Sequence, residues 1–181
     1  MASDVLPDGG FDGGISGWHL VGRGSTSHVT DEGANAPGSM RVTGGLAGNR
    51  TQGIAGFCLD SLSPGQNLQF AFKVKVEAGS PAFCRLALFE SNRSDCRWLS
   101  LGAQSRRTFF YSGWLQSPAA HLLMAGSTLS VEVRLHCANA AGDTGPLEVL
   151  FDDVTLIETS GSAFADGFET GTTERWSDTN P

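Results

Sequence analysis

A chain of 181 residues with 24 glycines, 7 prolines and 17% charged residues has room for one domain with a sizeable core, not comfortably for two. Its net charge of -7 offers neither a nucleic-acid backbone nor an anionic membrane surface any long-range attraction. No apolar run approaches the ~20 residues of a membrane span, so no membrane insertion is expected.

Met1-Ala2-Ser3-Asp4 lacks the basic and apolar regions of a secretory signal, so any leader is expected to have been removed or replaced by a start methionine. Cys58, Cys84, Cys96 and Cys137 are widely spread and form no CxxC pair, which argues against a zinc site and for two disulfides. With low charge and many glycines, that favours a secreted, extracellular protein over a cytosolic domain with four buried thiols.

In chain order, residues 8–18 set Phe11 and Trp18 among glycines, an extended loop rather than a helix. Short strands are predicted over 25–30, 39–43 and 52–59, the last ending at turn chemistry around Pro64-Gly65. Residues 67–77 alternate most clearly, with Leu68, Phe70, Phe72, Val74 and Val76 inward and Gln69, Lys73, Lys75 and Glu77 outward. The 81–90 strand puts Cys84, Leu86 and Leu88 on one face; short strands are expected over 96–101 and, around Trp114, over 111–115. Residues 127–137 alternate again, with Leu129, Val131, Val133, Leu135 and Cys137 inward and Glu132, Arg134 and His136 outward.

The closing strand, 147–157, is interrupted by two adjacent carboxylates. Alternation puts Leu150, Asp152, Val154 and Leu156 on one face and Val149, Phe151, Asp153 and Thr155 on the other, so Asp152 points with core residues. A carboxylate buried there must be paired, protonated or bound to a cation, and calcium suits an oxygen site. No stretch keeps a helical period. The pattern is that of an all-β, two-sheet antiparallel jelly-roll sandwich over 1–158, with a linker and C-terminal tail over 159–181.

Gly10-Phe11-Asp12 with a following Gly17-Trp18, Gly38-Ser39-Met40-Arg41-Val42, and Phe151-Asp152-Asp153-Val154-Thr155-Leu156 together resemble the galactose-binding-like β-jelly-roll modules of bacterial secreted proteins. That group includes several carbohydrate-binding module families. The resemblance implies a structural Ca2+ joining Asp12 to Asp152, its shell completed by carbonyls of the 31–38 loop. It also implies a strand order with 52–59, 127–137 and 81–90 side by side and antiparallel, and hence disulfides Cys58–Cys96 and Cys84–Cys137. The tail, Asp166-Gly167-Phe168-Glu169 with Trp176, echoes the N-terminal motif and resembles the ends of many secreted proteobacterial proteins. It reads as a loose end or the start of a second module cut short, or else as an assembly element, in which Phe168, Glu169 and Trp176 pack on a neighbouring subunit.

Catalysis finds no support. His19, His28, His121 and His136 are scattered without a metal-binding pair, no nucleophile elbow is present, and Asp152 and Asp153, on opposite faces of one strand, cannot flank a glycosidic bond. Sugar recognition needs an aromatic platform and planar polar groups, for which the candidates are Trp98 and Phe89 with Arg85, Glu132, Arg134 and His136, and Asn49 and Gln52 nearby. The plainer alternative is that Glu132 and Arg134 are solvated cross-strand charges and Trp98 covers a sheet edge. Trp18, Trp114 and Trp176 read as packing residues. The leading reading is a non-catalytic extracellular module that binds carbohydrate or cell-surface polysaccharide, or displays a neighbouring domain near it. Its competitor is a self-assembling filament or surface-layer subunit.

Overall fold

The computed structural model describes residues 3–60, 62–97, 99–108 and 113–159. Among them are the strands β1 (Ser3–Asp4), β2 (His19–Leu20), β3 (Gly24–Val29), β4 (Ser39–Ala47), β5 (Arg50–Leu59) and β6 (Asn67–Ala78). The second half supplies β7 (Pro81–Ser91), β8 (Ser100–Arg107), β9 (Leu115–Gln116), β10 (Ala120–Leu123), β11 (Ser130–Asn139) and β12 (Glu148–Glu158). All pairings are antiparallel and run β10-β6-β12-β4-β5-β11-β7-β8, with β1 on β12, β2 on β5, β3 on β4 and β9 on β6.

This path folds into two sheets because β4 belongs to both. Its residues from Met40 to Thr43 pair with β12, and Gly45 to Ala47 pair with β5. The crossing point is Gly44, where a Cβ would press on Thr51 Cγ2 at 2.8 Å and Leu147 Cβ at 3.0 Å. A strand that changes sheets needs a residue without a side chain at that corner. The fold is therefore an all-β, two-sheet jelly-roll sandwich.

The core lies between the sheets. Leu68, Phe70, Phe72 and Val74 of β6 and Val149, Phe151, Val154 and Leu156 of β12 face Leu86 and Leu88 of β7 and Val131, Val133 and Leu135 of β11, all fully or almost fully buried. Each such side chain contributes about 2 kcal/mol of transfer free energy, and the period-2 pattern supplies them from alternate positions. Phe11 closes the core from the N-terminal loop, stacked edge-on against Trp18, which in turn packs on Phe57.

The middle strands β5-β11-β7 stand side by side in the order the resemblance implies, with Cys137 opposite Cys84 in the register. Disulfides join Cys84 to Cys137 inside the sandwich and Cys58 to Cys96 at the other end of the sheet. No cysteine is free, which removes the zinc reading.

Three local expectations are corrected. Leu129, assigned inward, is 47% exposed, because β11 begins only at Ser130. The strand expected over 96–101 instead spans Ser100–Arg107; it is an edge strand with mostly exposed residues, so no hydrophobic alternation marks it. The third concerns β12. Asp152 pairs with Lys73 but Thr155 pairs with Ala71, so one extra residue is inserted, and Asp153 takes a positive φ of 45°. The bulge reverses the parity: Val149 and Phe151 face the core before it, Val154 and Leu156 after it. Asp152 is buried on the outer side of the first sheet, not among the core residues. Of the strand expected over 111–115, residues 111 and 112 lie outside the described residues, and Leu115 begins the short β9.

Candidate functional site

Two places gather chemistry. The first is the corner around the β12 bulge. Asp152 is only 1% exposed, and its Oδ2 accepts the Ala34 N–H at 2.5 Å while its Oδ1 accepts the Asp153 N–H at 2.6 Å. Burial pushes its carboxyl above the ordinary value; the two N–H donors oppose the rise, and the carboxylates of Asp153 and Asp12 add to it. Among the described residues no cationic side chain pairs with Asp152, since Lys73 goes to Asp153 at 2.7 Å and Lys75 to Glu32 and Glu77.

Two loops build this corner. The N-terminal loop is anchored by the Val154 N–H donating to the Gly9 carbonyl at 2.9 Å and by His28 Nε2–H donating to the Phe11 carbonyl at 2.7 Å. The 31–38 loop lies over the outer side of β6 and β12, held by Lys75–Glu32, by Ala34 on Asp152 and by Asn35 Nδ2 on Asp153 Oδ2 at 2.5 Å. Gly38, at a φ of 129°, meets the N-terminal loop so closely that a Cβ would sit 2.7 Å from the Phe11 carbonyl oxygen. Asp12, Asp152 and the 31–38 loop are thus brought into one corner. Among the described residues no three His, Cys, Asp or Glu side chains converge as metal ligands, so an ion here would draw on backbone carbonyls as well as on the two acids.

The second place is the outer face of the second sheet. Alternation turns Phe83, Arg85 and Phe89 of β7 outward, and the register sets His136 beside Arg85 and Glu132 beside Phe89 on β11. Although outward, Glu132 and His136 are only 4% and 6% exposed, because neighbouring side chains cover them. Glu132 Oε2 accepts Arg134 Nε at 3.0 Å and Nη2 at 2.6 Å, and its Oε1 lies 3.4 Å from His19 Nε2. His19 reaches it from β2 by crossing over Gly56, where a Cβ would strike Glu132 Oε1 at 2.8 Å. The Arg134 guanidinium lies over the Phe89 ring, 4.6 Å from its centroid. Glu132 and Arg134 are neighbours on one strand, not a cross-strand pair, with Glu132 covered and Arg134 half-buried.

Arg85 connects the rest. Its Nε donates to His136 Nδ1 at 3.2 Å, and its Nη1 donates to Gln104 Oε1 of β8 at 2.8 Å. With Nδ1 accepting, the neutral ring carries its proton on Nε2, a buried N–H without a partner. Burial, then the charges of Arg85, Arg50 and Arg134, push the His136 pKa down to about 4. Arg85 itself is held below the usual guanidinium range by burial and by Arg106 and Arg50. Arg106 stacks over Phe83 at 4.5 Å, and Phe83 meets the His136 ring edge-on at 5.2 Å.

Five of the six expected ligand-binding residues, Arg85, Phe89, Glu132, Arg134 and His136, therefore share one face, in two clusters; the sixth, Trp98, lies outside the described residues, as do Phe168, Glu169 and Trp176. Sequence reasoning missed Phe83, Gln104, Arg106, Arg50 and His19. Parity along β7 marks Phe83 as a neighbour of Arg85 and Phe89. The others come from β8, β5 and β2, whose places beside the site only the pairing of distant strands reveals.

No family model matches the chain, and no curated protein matches it. Solved structures match its fold. The CBM22-2 xylan-binding domain from Paenibacillus barcinonensis Xyn10C has a TM-score of 0.59 at 20% identity, covering 88% of this chain and 99% of that one. The CBM22-1-GH10 modules of Clostridium thermocellum endo-1,4-beta-D-xylanase 10B, complexed with xylohexaose, give 0.62 at 15% identity over 83% of this chain, which spans only 28% of that one. TmCBM61, in complex with beta-1,4-galactotriose, gives 0.56 at 16% identity over 87% of this chain and 99% of that one. At these identities the likeness is one of architecture: the chain has the β-sandwich fold of carbohydrate-binding modules.

Proposed function

We propose that the protein is a non-catalytic, extracellular polysaccharide-binding module whose ligand lies across β7, β8 and β11 on the outer face of the second sheet. The observation that carries this reading is a pair of clusters on one face, Phe83 with Arg85 and His136 and Phe89 with Glu132 and Arg134, each held by its own contacts on a fold shared with carbohydrate-binding modules. Recognition of a long, hydroxylated chain needs such preorganised planar donors on a rigid sheet, because a flexible site would lose affinity to ordering entropy. Two disulfides support an oxidising compartment, and no helix of the described residues is long and apolar enough to cross a membrane.

The same reading includes a structural calcium ion at the β12 corner. Its support is a donor set of oxygen alone, with a buried Asp152 lacking a cationic partner among the described residues and the Asp12 carboxylate coupled to it. Asp12, Asp152 and carbonyls of the 31–38 loop would hold the ion, which would supply positive charge to two acids and tie the two loops together.

Affinity electrophoresis of the full chain against xylan, β-1,4-galactan and uronate-rich polysaccharides tests the binding reading. Retardation by at least one polysaccharide, reduced in Phe89→Ala at an unchanged melting temperature, is expected. Migration unaffected by all of them would refute it.

A further inference from the structure

We infer that the polysaccharide bound at this face is acidic, carrying carboxylate or sulfate groups; the inference rests on the carbohydrate-binding reading above and names its ligand class. Four arginines, Arg50, Arg85, Arg106 and Arg134, lie on the outer side of β5, β7, β8 and β11, while the outward positions of those strands carry a single carboxylate, Glu132. Glu132 is already committed to Arg134. Arg85 and Arg106 stand directly opposite each other in the β7–β8 register, and the charge of Arg50 reaches both Arg85 and His136. Like charges paired across a sheet destabilise it. Within a chain of net charge -7, this face leaves Arg50, Arg85 and Arg106 without an ion-pair partner among the described residues.

The hydrogen-bonding inventory points the same way. The guanidiniums of the face are donors only, while two of its acceptors, Gln104 Oε1 and Glu132 Oε2, are taken by Arg85 and Arg134. A neutral sugar hydroxyl can both give and receive a hydrogen bond. A carboxylate or sulfate only receives, and its geometry fits the arginine fork. Moreover, the rings of Phe83 and Phe89 are capped by Arg106 and Arg134, so stacking a neutral sugar on them requires displacing a guanidinium. Overall negative charge does not prevent this contact, because charges beyond about 8 Å are largely screened at physiological ionic strength.

The test is calorimetric titration of the full chain with four probes: polygalacturonate, dextran sulfate, neutral xylan and polyglutamate, a polyanion without sugar. Binding to one of the acidic glycans is expected, weakening steeply with added salt and falling about tenfold in Arg106→Gln and again in Arg50→Gln. The charge-matched control Arg41→Gln, on the first sheet, is expected to bind as the wild type. Preference for polygalacturonate identifies a carboxylate, and preference for dextran sulfate a sulfate. Equal affinity for xylan, unchanged by salt and by the two arginine substitutions, overturns the acidic ligand while leaving carbohydrate binding intact. Equal binding of polyglutamate, or no binding of any glycan, overturns both.

Discussion

Lowering the pH from 7 to 4 should destabilise the wild-type protein more than a His136→Gln variant. The imidazole is 6% exposed and faces Arg85, Arg50 and Arg134, so protonation would bury a positive charge among three others. Its pKa falls from 6.5 to about 4, with burial the largest cause. In the unfolded chain the same ring takes its proton near 6.5, so between those values the unfolded state holds more protons. Stability present in full above the unfolded pKa is lost as pH falls, and the loss levels off below the folded value. At 1.36 kcal/mol per unit, the window is worth about 3 kcal/mol. Urea unfolding followed by tryptophan fluorescence at pH 7, 6, 5 and 4 measures it. Glutamine keeps an acceptor for Arg85 Nε and does not titrate; the carboxylates titrate in both proteins and drop out of the difference. Parallel stability curves for the two proteins would show that His136 is not held neutral by the fold.

Two further perturbations test the framework around the sites. Calcium should raise the melting temperature of the wild type, chelator should reverse the shift, and Asp152→Asn should abolish the response; an identical calcium response in the variant would remove Asp152 from the ion. Gly9→Ala places a methyl group against the Val154 carbonyl, backbone that cannot move without disturbing the bulge. A loss of about 3 kcal/mol in urea unfolding is expected, whereas a cost below about 0.5 kcal/mol would mean that the N-terminal loop does not press on β12.

The Glu132–Arg134 pair shows why the outer face was only half legible. Parity along β11 sends Glu132, Arg134 and His136 outward together, and parity along β7 does the same for Phe83, Arg85 and Phe89, so the membership of the face follows from period-2 alternation. What parity does not carry is burial. Glu132 is covered by His19 from β2 and by Arg134, and His136 by Phe83 and Arg85, partners up to about a hundred residues away in the chain. The β8 strand is expected too early, over 96–101, for a related reason: as an edge it presents little to the core, and Gln104 and Arg106 stand in no hydrophobic rhythm.

By itself the sequence determined which residues alternate, and through them the class of fold, the hydrophobic faces of β6, β7 and β11, and the absence of sustained helix, because side-chain direction along a strand is a local property of the backbone. The disulfide pairs followed once a jelly-roll strand order was assumed. Only the tertiary structure decided the bulge at Asp152 and Asp153, since one inserted residue reverses the parity of everything after it and leaves no mark in composition. It alone decided that Asp152 lies beneath the 31–38 loop and that four arginines crowd one face, because hydrogen-bonded register between distant strands sets which charges meet.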